Sequence, residues 1–275
     1  MHRLSQRGDS DFMLQILSNN IPTLTWNVGA VSQAHPAMIA RMLLYVTVAL
    51  QQLPPDFDWN KLQQGQPSDA RLDRYISIVQ SLVTSDDELA STIEGLECLS
   101  FQGLYQFNVG NLRRAWLTYR RAMNIGQLMG LYKREEAGAL SSHPSAKLIW
   151  LQIVQADRYL GLLLGMPCGS ADEVIGPEET FTNPKIHKGL LFTKKLMNIA
   201  GRIIERNQAI YTSAFAITQD IDERFETLAK KMPKSWWTIP VPLREEFTEE
   251  VCASIFYEIF TTCYRVVKAM QALPF

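Results

Sequence analysis

At 275 residues and 47% hydrophobic content, the chain can bury the core of one large domain or two small ones. Its formal charge of −1, from 27 Lys and Arg against 28 Asp and Glu, excludes the broad basic field that drives binding to nucleic-acid phosphates. Four cysteines, Cys98, Cys168, Cys252 and Cys263, stand far apart without a CxxC pair or a histidine at ligand spacing, so neither metal nor disulfide framework is expected.

The opening MHRLSQRGDSDFMLQIL lacks the apolar core of a signal peptide, and no stretch of about eighteen apolar residues follows, so an intracellular chain without a membrane partner is expected. Asp9 to Asn20 can form a short amphipathic helix that stops before Pro22. Pro36 opens a stronger one, and Ala37 to Leu53 is apolar enough to be mostly buried before Pro54-Pro55 ends it. His35 precedes that proline and His143 precedes Pro144, which fits helix entry better than catalysis. Asp56 to Asp69 reads as a surface loop pinned by Phe57 and Trp59.

Arg71 to Leu82 predicts a helix, and Ser85-Asp86-Asp87-Glu88 has the acidic capping character of a helix start. From there Leu89, Ile93, Leu96, Leu99, Gly103 and Phe107 mark one long helix to about Gly110. The next stripe, Leu112, Ala115, Trp116, Tyr119, Ala122, Met123, Gly126 and Met129, belongs to a helix that Asn111 can cap and Gly130 can end. The tight Gly110-Asn111 connection makes these two helices antiparallel neighbours, and Gly103, Ala115, Ala122 and Gly126 permit close approach. Arg113, Arg114, Arg120 and Arg121 fall on the solvated face.

After a polar stretch from Lys133 to Ser142, Trp150, Ile153, Val154, Asp157, Gly161 and Leu164 make another stripe, one member of which is a carboxylate. Gly165 then ends that helix. An acidic loop to about Lys188 leads to a long helix over Leu190 to Ala216 and a second over Thr218 to Lys231. Trp236-Trp237 sit in a Pro-flanked connector, and Thr248 to Leu273 forms the last helix. The fold class is all-α: a multi-helix antiparallel array around one large core, with no significant sheet.

The run AWLTYRRAMNIGQLMGLY, then a Trp-centred helix with an Asp seven residues later, then LLLGMP, resembles the regulatory region of fungal zinc-cluster transcription factors, the fungal-specific transcription factor domain or middle homology region. The resemblance is most specific over Glu94 to Pro167, is weaker over 190–275 (MPKSWWTIP at Met232 to Pro240, and the terminal ALPF), and implies a single regulatory domain over 1–275. Many relatives carry an arginine where this chain has Asn124 and a histidine where it has Tyr132, and family members carry six clustered cysteines that this sequence lacks. The resemblance therefore implies a nuclear regulator of a fungal metabolic or secondary-metabolite pathway. Such a chain would be a fragment or a stand-alone paralogue, acting on a transcription factor or co-regulator partner, on a small hydrophobic effector, or on both.

Asp157 is the residue that most needs an explanation, because a buried carboxylate without donors costs several kcal/mol. Arg158, Arg121 or backbone amides are its candidate partners. Trp116, Met123, Trp150, Asp157 and Arg158 are the candidate ligand-binding residues, the aromatic and Met side chains lining an apolar pocket between helices. Two competing classes follow: an enzyme on the same scaffold with Asp157 as acid or base on a hydrophobic biosynthetic intermediate, which would be cytoplasmic, and a scaffold that binds protein through exposed helix faces.

Overall fold

In a computed structural model, described over residues 28–53, 57–61, 69–132, 144–170, 188–208 and 214–232, every regular element is helical and no strand occurs among the described residues. The elements are α1 (Val28–Val31), α2 (Pro36–Gln52), a 3₁₀ turn (Trp59–Lys61), α3 (Asp69–Val79), a π-helical turn (Gln80–Thr84), α4 (Asp87–Ala90), α5 (Ile93–Asn108), α6 (Leu112–Leu128), α7 (Pro144–Leu164), α8 (Lys188–Gln208) and α9 (Ala214–Lys230). They fall into two compact units, one over Met13–Ile153 and one that includes Val154–Phe275. The helices expected over Asp9 to Asn20 and Thr248 to Leu273, and the Trp236-Trp237 connector, lie outside the described residues.

The first unit is built on α5, which is buried nearly all round: Ile93, every residue from Gly95 to Tyr105, and Phe107. A helix buried on all sides must satisfy each polar side chain internally. Glu97 accepts from Arg41 Nη1 on α2 at 2.6 Å, and Gln102 accepts from Thr84 Oγ1 at 2.9 Å. Pro36 begins α2, and the His35 side chain accepts from the Ala37 N–H at 3.3 Å, as helix entry requires. Ala37 lies by Cys98 and Gln51 by Tyr105 and Asn108, so α2 and α5 run side by side in the same sense. By contrast α3 runs antiparallel to α5, the Tyr105 hydroxyl donating to Asp73 at 2.9 Å and Gln102, one turn earlier on α5, donating to the carbonyl of Ile76, one turn later on α3, at 3.5 Å. Phe57 and Trp59 pack edge to face at 5.2 Å, giving the 59–61 turn its anchor.

Helices α5 and α6 form the expected antiparallel hairpin. Gly110 closes α5 at φ 82, a left-handed conformation open mainly to glycine, while the Asn111 N–H reaches back to the Gln106 carbonyl at 2.8 Å. The same closure ends α6 at Gly130, where the Leu131 N–H reaches the Gly126 carbonyl at 2.9 Å. Asn111 stands at the N-cap of α6, but its side chain makes no capping bond and donates instead to Gln106 Oε1 at 3.1 Å. A Cβ on Gly103 would lie 2.5 Å from the Tyr119 ring, so the small residue lets that ring lie flat on α5. The Tyr119 hydroxyl then donates to the Ser100 carbonyl at 3.1 Å.

Two expectations between Arg71 and Gly110 are corrected. The helix over Arg71 to Leu82 ends as α-helix at Val79 and widens into the π turn, where the Ser85 N–H bonds the Gln80 carbonyl five residues back at 2.9 Å. The long helix from Leu89 is two helices: Asp86 caps α4 through the Glu88 and Leu89 N–H groups, and Thr92 caps α5 through the Gly95 N–H at 2.9 Å. The chain folds back so sharply here that a Cβ on Gly95 would sit 2.3 Å from the Leu89 carbonyl oxygen.

In the second unit α8 and α9 are paired through Arg206 Nε, which donates to Thr218 Oγ1 at 3.0 Å, and an ion pair from Arg202 to Asp220 at 3.4 Å. The single helix expected over Leu190 to Ala216 ends at Gln208, and α9 begins at Ala214. Leu191, Phe192, Leu196, Met197, Ala200 and Ile221 are fully buried between these elements.

Candidate functional site

The tryptophan and methionine stripe of α6 is where periodicity put it. Ala115, Tyr119, Ala122, Met123 and Gly126 are buried, and Trp116 lies half-buried at the edge of the stripe. Arg120, expected on the solvated face, sits over the Trp116 ring at 4.8 Å from its centroid, a cation–π contact made by its position one turn along. Trp150 on α7 lays its ring against Gly126, where an added Cβ would be 3.0 Å away. Its ring thus occupies the space that the missing side chain leaves, and Met123 is entirely buried on the same helix as Gly126. The indole N–H groups of Trp116 and Trp150 are buried and meet no acceptor among the described residues.

Asp157 and Arg158 belong to the second unit and are both fully buried. Asp157 Oδ2 accepts the Gly169 N–H at 2.9 Å, so a backbone amide of the chain that follows α7 is one of its partners. Arg158 Nη1 donates to the Met197 carbonyl on α8 at 2.7 Å and lies 3.5 Å from Asn198 Oδ1. Of the other candidate partners of Asp157, Arg121 bonds Asp87 Oδ1 at 3.0 Å. Gly165 ends α7 with the Met166 N–H on the Gly161 carbonyl at 2.9 Å, and Gln208 Nε2 donates to the Gly165 carbonyl at 2.9 Å. Asp157 and Arg158 therefore tie α7 to the turn beyond it and to α8.

The five candidate residues are thus divided: Trp116, Met123 and Trp150 in one unit, Asp157 and Arg158 in the other. The expected stripe on α7 is broader than a stripe, since every residue from Ile149 to Arg158 is buried, Gln152 and Gln155 included. Sequence spacing missed two polar features of the first unit. One is the buried Arg41 to Glu97 pair; both residues sit on helices whose apolar content signals burial, and that coincidence was the available clue. The other is Gln102, which accepts from Thr84 and donates through Nε2 to the Ile76 carbonyl at 3.5 Å, bridging the two flanks of the π turn. Cys98 is buried beside Glu97, and burial foremost, with that carboxylate adding to it, pushes its thiol well above the usual range. It is a neutral apolar filler at physiological pH. No helix among the described residues is long and apolar enough to cross a membrane.

No family model matches the chain, and no solved structure matches it. Curated proteins do. It is 40% identical over 217 residues to the transcription factor sdnS of Sordaria araneosa, an alignment covering 75% of this chain and 28% of that protein. It is 37% identical over 215 residues to the transcription factor eupR of a Phoma species, covering 75% and 46% respectively. It is 34% identical over 212 residues to the dehydrocurvularin biosynthesis regulator of Alternaria cinerariae, covering 75% and 28%. The chain spans less than half the length of each of these relatives. With only helical elements among the described residues and identities at this level across three quarters of its length, the chain is a homologue of fungal transcription factors, biosynthesis regulators among them.

Proposed function

We propose that the chain is the effector region of a transcriptional regulator of a fungal secondary-metabolite pathway, corresponding to the fungal-specific transcription factor domain of zinc-cluster factors and working in the nucleus. One observation carries this reading: 40% identity over 217 residues to a protein named as a transcription factor, in an alignment that takes up only 28% of that protein. A stretch of such a factor that holds no clustered cysteines, carries a net charge of −1 and is wholly helical where described has the properties of its regulatory portion rather than of its operator-reading portion. Both units together, residues 1–275, make up that region, and it acts by differential affinity for a co-regulator or a small apolar effector, without covalent chemistry.

The test is a fusion of the full chain to an unrelated DNA-binding domain, read on a reporter gene in a fungal host beside a gel shift of the chain alone. Reporter output is expected to change at least severalfold relative to the DNA-binding domain alone. The chain alone is expected not to discriminate between pathway promoter and random DNA. An unchanged reporter, or tight sequence-specific binding by the isolated chain, would overturn the proposal.

A further inference from the structure

Within the first unit, an open cleft of about 230 Å³ lies beside the π turn, walled by α3, α5 and α6. Its size falls just below the range of about 300–1,000 Å³ usual for small-molecule sites, which suits a small ligand. Ile76, Leu99 and Leu117 give it apolar walls, and Leu117 is 56% exposed, a large apolar side chain held at the mouth. Gln102, only 5% exposed, and Thr84, at 1%, bring a buried polar pair to its lining, their mutual bond already made. π turns occur frequently at functional sites because the extra residue opens the backbone locally and re-aims side chains.

The charge in this cleft has one sign. Arg114 and Arg121 both line it and no acidic residue does. Arg121 holds an ion pair with Asp87 at 3.0 Å, but Asp87 is 87% exposed, so the pair is of the weak surface kind that an incoming anion displaces at little cost. Arg114 is exposed and makes no side-chain ion pair among the described residues. A guanidinium with five donors in a fixed fork pairs bidentately with a planar carboxylate, and the apolar Ile76, Leu99 and Leu117 beside it suit an organic acid over a bare inorganic anion.

We propose that the cleft between the π turn and α6 binds a small organic carboxylate, its anionic end on Arg114 and Arg121 and its apolar body on Ile76, Leu99 and Leu117. The biological meaning of such binding, an effector for a regulator, rests on the function proposed above; the binding itself does not. It is a different place from the Trp116, Met123 and Trp150 stripe, none of which lines this cleft.

The test is isothermal titration of the full chain with 4-phenylbutyrate, cinnamate and octanoate, and with 4-phenylbutanol as an uncharged counterpart. At least one acid is expected to saturate near 1 mM or tighter, about −4.1 kcal/mol, and the alcohol to bind at least roughly tenfold more weakly. Arg114→Glu and Leu117→Asp alter exposed side chains, and each is expected to keep the parent circular dichroism spectrum while weakening the acid at least roughly tenfold. Arg113→Glu makes the same charge change on the same helix outside the cleft and is expected to leave affinity within about threefold. The proposal is overturned if no acid saturates below about 10 mM, if acid and alcohol bind alike, or if Arg113→Glu weakens binding as much as Arg114→Glu. If no acid binds the parent chain while the fusion still changes reporter output, the cleft fails alone; if an acid binds while the reporter stays silent, the regulatory reading fails alone.

Discussion

Breaking the buried pair between Arg41 and Glu97 should unfold the first unit under conditions where replacing both partners does not. The two side chains are 8% and 5% exposed, with Nη1 and Oε2 at 2.6 Å. At that separation and an effective dielectric of about 20, the attraction is roughly 6 kcal/mol, most of which offsets the cost of removing two charges from water. Glu97→Gln keeps the shape but leaves a buried guanidinium facing a neutral amide, and Arg41→Met takes the arginine away from a buried carboxylate. Each should lower stability by about 3–5 kcal/mol, whereas the double variant Arg41→Met/Glu97→Leu should come within about 1 kcal/mol of the parent. Urea titrations followed by far-UV circular dichroism give all the midpoints, and the double-mutant cycle isolates the coupling. Single variants that each cost less than about 1 kcal/mol, or a double variant as unstable as the sum of the singles, would refute the reasoning, because the pair would then be neither desolvated nor mutually compensating.

Other substitutions follow from the same geometry. Asp157→Ala removes the acceptor for the Gly169 N–H from a fully buried position and should cost about 1–3 kcal/mol, with Asp157→Asn costing less because it keeps a carbonyl oxygen; equal losses in urea midpoint would contradict this. Gly103→Ala pushes a methyl group onto the Tyr119 ring and should cost about 1–3 kcal/mol, and shortening the ring in Gly103→Ala/Tyr119→Leu should recover part of that loss. Gly95→Ala should cost more, since its nearest atoms are backbone at 2.3 Å and 2.7 Å and no side chain can swing aside; a milder effect than that of Gly103→Ala would count against the observed α4 to α5 turn. Arg224, with Arg202 beside it, holds the Asp220 carboxyl below its ordinary 3.8, so the stability it contributes is present above that pH and is lost on acidification through the lowered value. Asp220→Asn should therefore lower the melting temperature slightly at pH 7 and make progressively less difference as the pH falls below 3.8, and added salt should shrink the effect because these groups are substantially exposed.

Much of the helical scaffold was legible because apolar spacing near 3.6 is written directly into residues such as Ala115, Tyr119, Ala122 and Gly126. Caps were legible where one residue decides them, as with His35 before Pro36 or Gly110 before Asn111. The break between Ala90 and Ile93 was not, because apolar periodicity runs straight through it and only the Thr92 hydroxyl and the tight seat of Gly95 impose the turn. The π turn escaped for a similar reason: Leu72, Ile76, Val79 and Val83 keep a regular helical spacing on the buried side while the backbone widens beneath them. Asp157 stood out as a carboxylate on an apolar helix, yet the amide it meets, twelve residues on at Gly169, carries no mark in the sequence. Gln102 and the Arg114 cleft were invisible in principle, since three separate helices have to be assembled before their side chains share a space.

Gln102 holds Ile76 and Thr84 at once, and in doing so it fixes the rotational phase with which α3 hands the chain on to α4. A helix can shed one surplus residue by snapping back to the tighter winding, and each residue so removed turns everything downstream by about 100°. The bridging amide stands in the way of that slippage. A one-residue deletion between Gln80 and Thr84 would then leave a perfectly good helix pointing Ser85, Asp86 and Asp87 the wrong way, so this segment tolerates changes of side chain far more readily than changes of length.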